Sequence, residues 1–449
     1  MPAVLLFALT GCIGSDHPLV NPENRPGGSI SSSIKADCSE PRVFSGSLDL
    51  NDPIQWCDLG YNAISGDLTV TTGQPDMAFL SCLCEVDGEL TLSGDMLTLD
   101  GMDNLHRVGA LRIEETPTIV SLEPFRGVRI DGDIQLVTMR LLASLEGLDQ
   151  TRLDGDLILL TESIDLHSLD GLQLTEVTGE IDVSYTPGLA SLAGLEGLQR
   201  IEGDLTLQGN HGLFSLEGLA VESLGGTLRV ANNALLESLD GLDQLAVVEG
   251  WVFIQGNPNL VDLTGLDSLT TVYHSLQLEQ NALFTSFAGL DQLTWIGGNL
   301  ELLYLPALSS MAGFPPAEVE ANLQISNNDA LLDVDGLSHL TDIQSVRLHD
   351  NDVLVDLTGL GNLQLATGYV VVTNNDSLET LDGVALDEVR SDLRIEDNGV
   401  LTDVSALHDM SRVGGNLKVL DNPSLGDAAA WDFVDTVGSV GGQTLVGGN

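Results

Sequence analysis

Lysine is almost missing from this chain. Only Lys35 and Lys418 occur in 449 residues, and lysine plus arginine total 16 against 67 acids, a formal charge of −51. Binding nucleic acid by phosphate neutralisation is excluded on that balance. Direct adhesion to an anionic bilayer is disfavoured for the same reason. Aromatics are scarce too, with 10 Phe, 5 Tyr and 4 Trp. Beyond the amino terminus no apolar run approaches the roughly 18 residues that span a bilayer. The chain also lacks Gly-x-Ser-x-Gly, His-Glu-x-x-His, a phosphate loop and a dinucleotide fingerprint, so no familiar catalytic motif is present. What is abundant is leucine, 81 residues, with 49 glycines, and a hydrophobic content of 43% that rules out wholesale disorder. A core built from one aliphatic residue and punctuated by glycine points to a repeated unit rather than to several separate folds.

The first residues bear on location. Pro2 to Leu9 is a short apolar run that ends in Leu9-Thr10-Gly11-Cys12. This arrangement resembles a bacterial lipoprotein signal. The resemblance implies removal of residues 1–11, acylation of Cys12 and anchoring by lipid in the cell envelope, at the outer membrane rather than the inner. Several acyl chains hold a protein to a bilayer where a single one does not. Residues 12–37, rich in proline, glycine and serine, read as a flexible tether.

From Phe44 onward one phrase recurs. Its clearest copy begins at Ile201 and carries Gly203, Leu205, Leu207, Asn210, Leu213, Leu216 and Leu219. The opening aliphatic returns from Ile64 to Val413 at intervals of 22 to 24 residues, with a weaker copy at Phe44 and a last one at Val440. Leu205 and Leu207 alternate with polar neighbours, so they point inward from a short strand whose other face is wet. The glycine column (Gly66, Gly155, Gly203, Gly298 and others) permits either a bend or a close stacked backbone. An asparagine column (Asn210, Asn233, Asn257, Asn281 and onward, with a slip of register at Asn351) offers amides to backbone groups where the chain leaves the strand. One turn cannot bury such a face, but stacked turns can. The pattern predicts an all-β-rich solenoid, parallel β-helix or leucine-rich-repeat-like, with about eighteen coils on one main parallel sheet. At strand spacings of ~4.8 Å that is a rod roughly 85 Å long.

The phrase I-x-G-x-L-x-L followed by L-x-S-L-x-G-L is similar to the leucine-rich-repeat superfamily, and within it to receptor L-domain repeats. That resemblance covers about residues 44–449 and implies partner binding by the repeat surfaces, without catalysis.

Solenoid ends need caps. Cys38, Cys57, Cys82 and Cys84 cluster in the first coils, which in an exported protein favours two disulfides in an amino-terminal cap. Three pairings are open, a Cys82–Cys84 bridge being the least comfortable, and the alternative of a metal site lacks a nearby histidine. Asp427 to Val434 breaks the period and reads as a short helix. The expected organisation is therefore signal 1–11, tether 12–37, cap coils 38–85, repeats 86–426 and carboxy-terminal cap 427–449.

Two features of the outward strand face attract a functional reading. Asp133, Asp156, Glu180 and Asp204 follow the column glycine on successive coils. They suit a divalent-cation ladder, calcium above all, or a carboxylate pair for glycoside hydrolysis. The competing reading is a solvated acidic face in which Gly-Asp serves the turn, and the even spread of surplus charge favours it. Asp333-Val-Asp335-Gly336 resembles the start of a calcium loop, yet its other ligands are missing and Asp-Gly-Leu belongs to the repeat. Trp251 and Phe253 stand outward on one strand flanked by Arg229 and Gln277, with Arg347, Tyr369, Val371, Arg394 and Lys418 farther along. Exposed aromatics beside arginine suit recognition of a protein or glycan; a covering loop over Trp251 is the alternative. The expectation is a lipid-anchored recognition or scaffold module, set against a polysaccharide-acting β-solenoid enzyme and a purely structural envelope component.

Overall fold

The computed structural model of the protein describes residues 38–50, 56–355, 357–408 and 410–449; the signal, Cys12 and the tether lie outside the described residues. The chain forms a parallel β-solenoid. Its main sheet has 21 strands, of which Val43–Phe44, Ala63–Ile64 and Arg129–Ile130 belong to a second ladder, leaving eighteen rungs from Leu48–Leu50 to Thr444–Gly447. Pairing is in register and parallel, as where Leu205, Thr206, Leu207 and Gln208 lie against Leu228, Arg229, Val230 and Ala231. Aliphatics therefore stack on aliphatics. Leu205 and Leu207 are each only 1% exposed, while Thr206 is half-buried on the outer face.

The opening aliphatic does more than fill the core. With its predecessor it forms a two-residue strand in each coil, such as Arg200–Ile201, paired to Glu176–Val177 before it and Ser223–Leu224 after it. These short strands make an eight-stranded and a four-stranded ladder beside the main sheet. Between the two ladders sits the column glycine. A Cβ on Gly203 would lie 2.6 Å from the carbonyl carbon of Gly179, so close stacking of backbone, not a bend, is what requires glycine there. The glycines of the Asp-Gly-Leu turns differ. Gly171 and Gly241 have φ of 112° and 114°, a conformation costly for residues with a side chain.

Each coil leaves the main sheet through one residue in the left-handed region, for example Asn232, Gln280, Tyr304 or Asp397. The ladder asparagine follows at once. Asn257 Oδ1 accepts the Asn233 N–H (3.0 Å), the Asn257 N–H donates to Asn281 Oδ1 (2.9 Å), and Asn257 Nδ2 donates to the Val230 carbonyl (2.9 Å). The expected slip at Asn351 proves to lie upstream. The turn between Ile343 and the strand Ser345–His349 is one residue short, and Asn351 itself sits in the ladder, accepting from Asn328 and donating to Asn375.

The caps are built as the sequence suggests, and the pairing left open is Cys38–Cys84 with Cys57–Cys82. Beside these bridges Trp56 is fully buried in an aromatic cluster with Phe44 and Tyr61. At the other end a helix spans Asp427–Thr436 and turns Ala430 and Phe433 inward, the Phe433 ring stacking on His408. Among the described residues no helix is long and apolar enough to cross a membrane.

Candidate functional site

Strand alternation sets one residue of every rung at the centre of the outer sheet face. In chain order that column includes Arg112, Asp182, Thr206, Arg229, Phe253, Gln277, Glu301, Gln324, Arg347, Val371, Arg394 and Lys418. Four arginines and one of the two lysines stand in it, so the midline of the sheet is rich in cations within a strongly acidic chain.

Those cations are held in two ways. Arg112 pairs with Glu114, Arg394 with Asp392 at 3.0 Å, and Lys418 lies 3.9 Å from Glu396. Arg229 and Arg347 have no described carboxylate within ion-pair distance. Each lies over an aromatic ring of the next coil: the Arg229 guanidinium carbon is 4.2 Å from the Phe253 ring centre, and that of Arg347 is 5.6 Å from the Tyr369 ring centre. Arg229 also donates from Nε to Gln208 Oε1 (3.4 Å), and Gln277 donates to Glu279 (2.9 Å). Register separates Trp251 from this column. It occupies the neighbouring one between Thr227 and Ser275, so Arg229 and Gln277 flank Phe253 rather than Trp251. Among the described residues no loop covers Trp251, which is 40% exposed.

Tyr369 stands in the Trp251 column five rungs on, about 24 Å away at one strand spacing per rung. With Arg347, Val371, Ser391, Asp392 and Arg394 it lines a depression of about 220 Å³. The sequence-selected residues therefore form two clusters on one face, each an arginine over an aromatic. Between them runs a polar lane, Glu301 and Gln324 in the midline with Asn299 and Asn322 beside it, which had not been singled out although the strand offset identifies it.

The acidic column serves the backbone. Asp133 Oδ1 accepts the Asp156 N–H (2.9 Å), Asp156 Oδ1 accepts the Glu180 N–H (2.9 Å), and Asp204 Oδ1 accepts the Thr227 N–H (2.7 Å). Farther along, Ser275, Asn299, Ser345, Asp392 and Asn416 do the same for the next coil. Glu180 is a misfit in the column, and no described backbone N–H donates to it. Burial first, then Asp156, Asp182 and Asp204, push its carboxyl above the ordinary range. Burial likewise raises Asp182, whereas the Asn416 backbone N–H and Arg394 hold Asp392 low. Among the described residues no three His, Cys, Asp or Glu side chains converge to hold a metal ion, so the calcium ladder sketched for Asp133, Asp156, Glu180 and Asp204 is not assembled. The physical role of Asp133, Asp156 and Asp204 is to bond coil to coil.

No protein-family model matches the chain, and no characterised protein does.

Proposed function

We propose that the protein is a lipid-anchored recognition and scaffold protein of the bacterial cell envelope, held at the outer membrane through Cys12, that binds a protein or glycan on its main sheet face. One observation carries the binding part. In a chain with 67 acids, Arg229 and Arg347 have no carboxylate among the described residues within ion-pair distance, and each rests on an aromatic ring of the adjacent coil. Guanidinium groups so placed keep donors free for an incoming acceptor, and exposed Trp251, on the same strand edge as Phe253, supplies apolar area near the first of them. Because the sheet fixes these side chains, a partner loses little conformational entropy on docking there. The leucine-rich-repeat resemblance supports binding over catalysis, and Leu9-Thr10-Gly11-Cys12 supports the anchor.

An array of glycans and envelope proteins probed with the purified chain identifies the partner. Trp251→Ala then weakens that partner by about 2 kcal/mol or more while Tm stays nearly unchanged. Unaltered affinity, or a large fall in Tm, assigns Trp251 to packing instead. For the anchor, wild-type protein made in a bacterium that processes lipoproteins sediments with membranes, and Cys12→Ser releases it. An unmodified Cys12 by intact mass overturns that part.

A further inference from the structure

A second surface runs along the corner where the chain leaves the main sheet, away from the sheet face. Three residues after each ladder asparagine comes a core leucine or phenylalanine, such as Leu236, Leu260 or Phe284, fully buried. Its neighbours at two and four residues after the asparagine must then face outward. In most coils one of those outward positions is a large apolar residue. Phe214, Leu235, Val261, Leu283, Leu332 and Val355 are all exposed, Phe214 and Leu283 to 51%. Backbone bonds between coils fix their spacing, as where the Glu237 N–H donates to Phe214 O and the Val355 N–H to Leu332 O. They alternate between two adjacent columns, with Glu237, Thr285 and Ser309 stacked against Phe214, Val261 and Leu332 and only Leu332 and Val355 stacked directly. The corner therefore carries an apolar stripe that zigzags along the solenoid axis and is interrupted at the coil of Leu305.

Charge around the stripe has one sign. From the left-handed corner through the leucines that follow it, no coil between residues 209 and 410 contains a lysine or arginine, whereas aspartate or glutamate occurs there in every coil except those of Leu283 and Leu305. Asp329, Asp352 and Asp376 each follow the ladder asparagine on three successive coils beside Leu332 and Val355. Desolvation first, then the fields of Asp376, Asp329 and Asp350, raise the Asp352 carboxyl, so these stacked acids repel one another. A second copy of this chain would set acid against acid, and an anionic membrane would be repelled.

We infer that this corner is a docking surface for a cationic amphipathic polypeptide, whose aliphatic or aromatic side chains lie on the stripe and whose lysines or arginines meet the flanking carboxylates. The inference does not depend on the sheet-face reading. Apolar contact supplies affinity, and the acids supply steering and orientation.

The test uses the purified chain and two synthetic peptides of equal charge, one an amphipathic leucine–lysine sequence and one with serine in place of leucine, compared by fluorescence anisotropy at physiological salt. The leucine–lysine peptide binds at least about tenfold tighter, a difference that the variant Phe214→Ser/Val261→Ser/Leu332→Ser removes and Trp251→Ala leaves intact. Leu235→Ser/Leu283→Ser/Val355→Ser gives the same loss from other coils, so misfolding of either triple variant does not leave the matter open. Equal binding of the two peptides, or a difference that survives both triple variants, reduces the surface to non-specific charge and overturns the proposal. So does stripe-dependent self-association in sedimentation, or stripe-dependent binding to lipid vesicles, because the occupant is then a second copy or a membrane.

Discussion

Two side-chain ladders run along the solenoid, one at each end of the main-sheet strands, and they meet the same need with different chemistry. In both, an oxygen on one coil accepts a backbone N–H of a neighbouring coil. The ladder at the strand exit is fully buried and made of asparagine from Asn210 to Asn281 and again from Asn328 onward, interrupted at Leu305. The ladder at the strand entry is partly solvated at Asp133, Asp156, Asp204 and Asn299 and turns to serine at Ser275 and Ser345, where it is buried. Burial explains the contrast. An interior site demands a neutral group that both accepts and donates, because a buried charge is costly and a buried orphan nearly as costly. At the wet entry any short side-chain oxygen suffices, and carboxylates are tolerated. Much of the stacked acid along this face is therefore a by-product of backbone satisfaction.

That difference predicts a graded series. Asn257→Leu strips the partner from the buried Asn233 N–H and from the Val230 carbonyl, and should cost about 3 kcal/mol in chemical denaturation. Asp156→Ala removes the acceptor of the Glu180 N–H, where water can substitute, and should cost about 1 kcal/mol. Comparable losses in the two variants would break the distinction drawn from burial.

Titration sharpens it further. The Glu180 carboxyl is raised in the folded chain, so its penalty is absent in acid and grows as pH rises from the unfolded carboxylate pKa to the folded one. Glu180→Gln should accordingly raise Tm at neutral pH and lose that advantage at acid pH. Asp392 is the mirror case. Its lowered pKa contributes stability above the ordinary carboxylate range, lost as pH falls through the folded value, so Asp392→Ala should lower Tm at neutral pH and converge on wild type in acid. The smallest effect belongs to Asp156→Asn. An amide oxygen fills the same place in the column at Asn299 and Asn416, and the change in stability should stay within about 0.5 kcal/mol.

The period, the inward leucines, the asparagine column and both caps were legible because each recurs at a fixed offset or interrupts the repeat. Other matters needed coordinates. Four clustered cysteines do not disclose that Cys38 reaches Cys84. Nor does the glycine column say whether its glycines bend or stack, since both uses favour the same residue. The acidic stripe was open to misreading because the eye follows charge, whereas the column conserves a short side-chain oxygen across Asp, Ser, Asn and Thr; that equivalence was present in the sequence. Trp251 and Phe253 were legible as outward residues of one strand, and Arg229 as the residue stacked on Phe253, because period-two alternation and the coil offset fix both. The apolar corner stayed hidden because Leu235 and Leu283 adjoin buried Leu236 and Phe284, and a run of apolar residues does not reveal which of its members face water.

The two disulfides give the solenoid a mechanical polarity. Cys38–Cys84 and Cys57–Cys82 cross-link the earliest coils, while Thr444–Gly447 is held to Leu417–Leu420 without any covalent link, by hydrogen bonds and apolar packing. Pulled from its two ends, the protein would yield at the carboxy-terminal edge and peel inward a coil at a time, each step releasing 22 to 24 residues of slack until the covalently fastened coils halt it. Force would thus lengthen the solenoid progressively from its carboxy-terminal edge, with the cross-linked end the last part to give way.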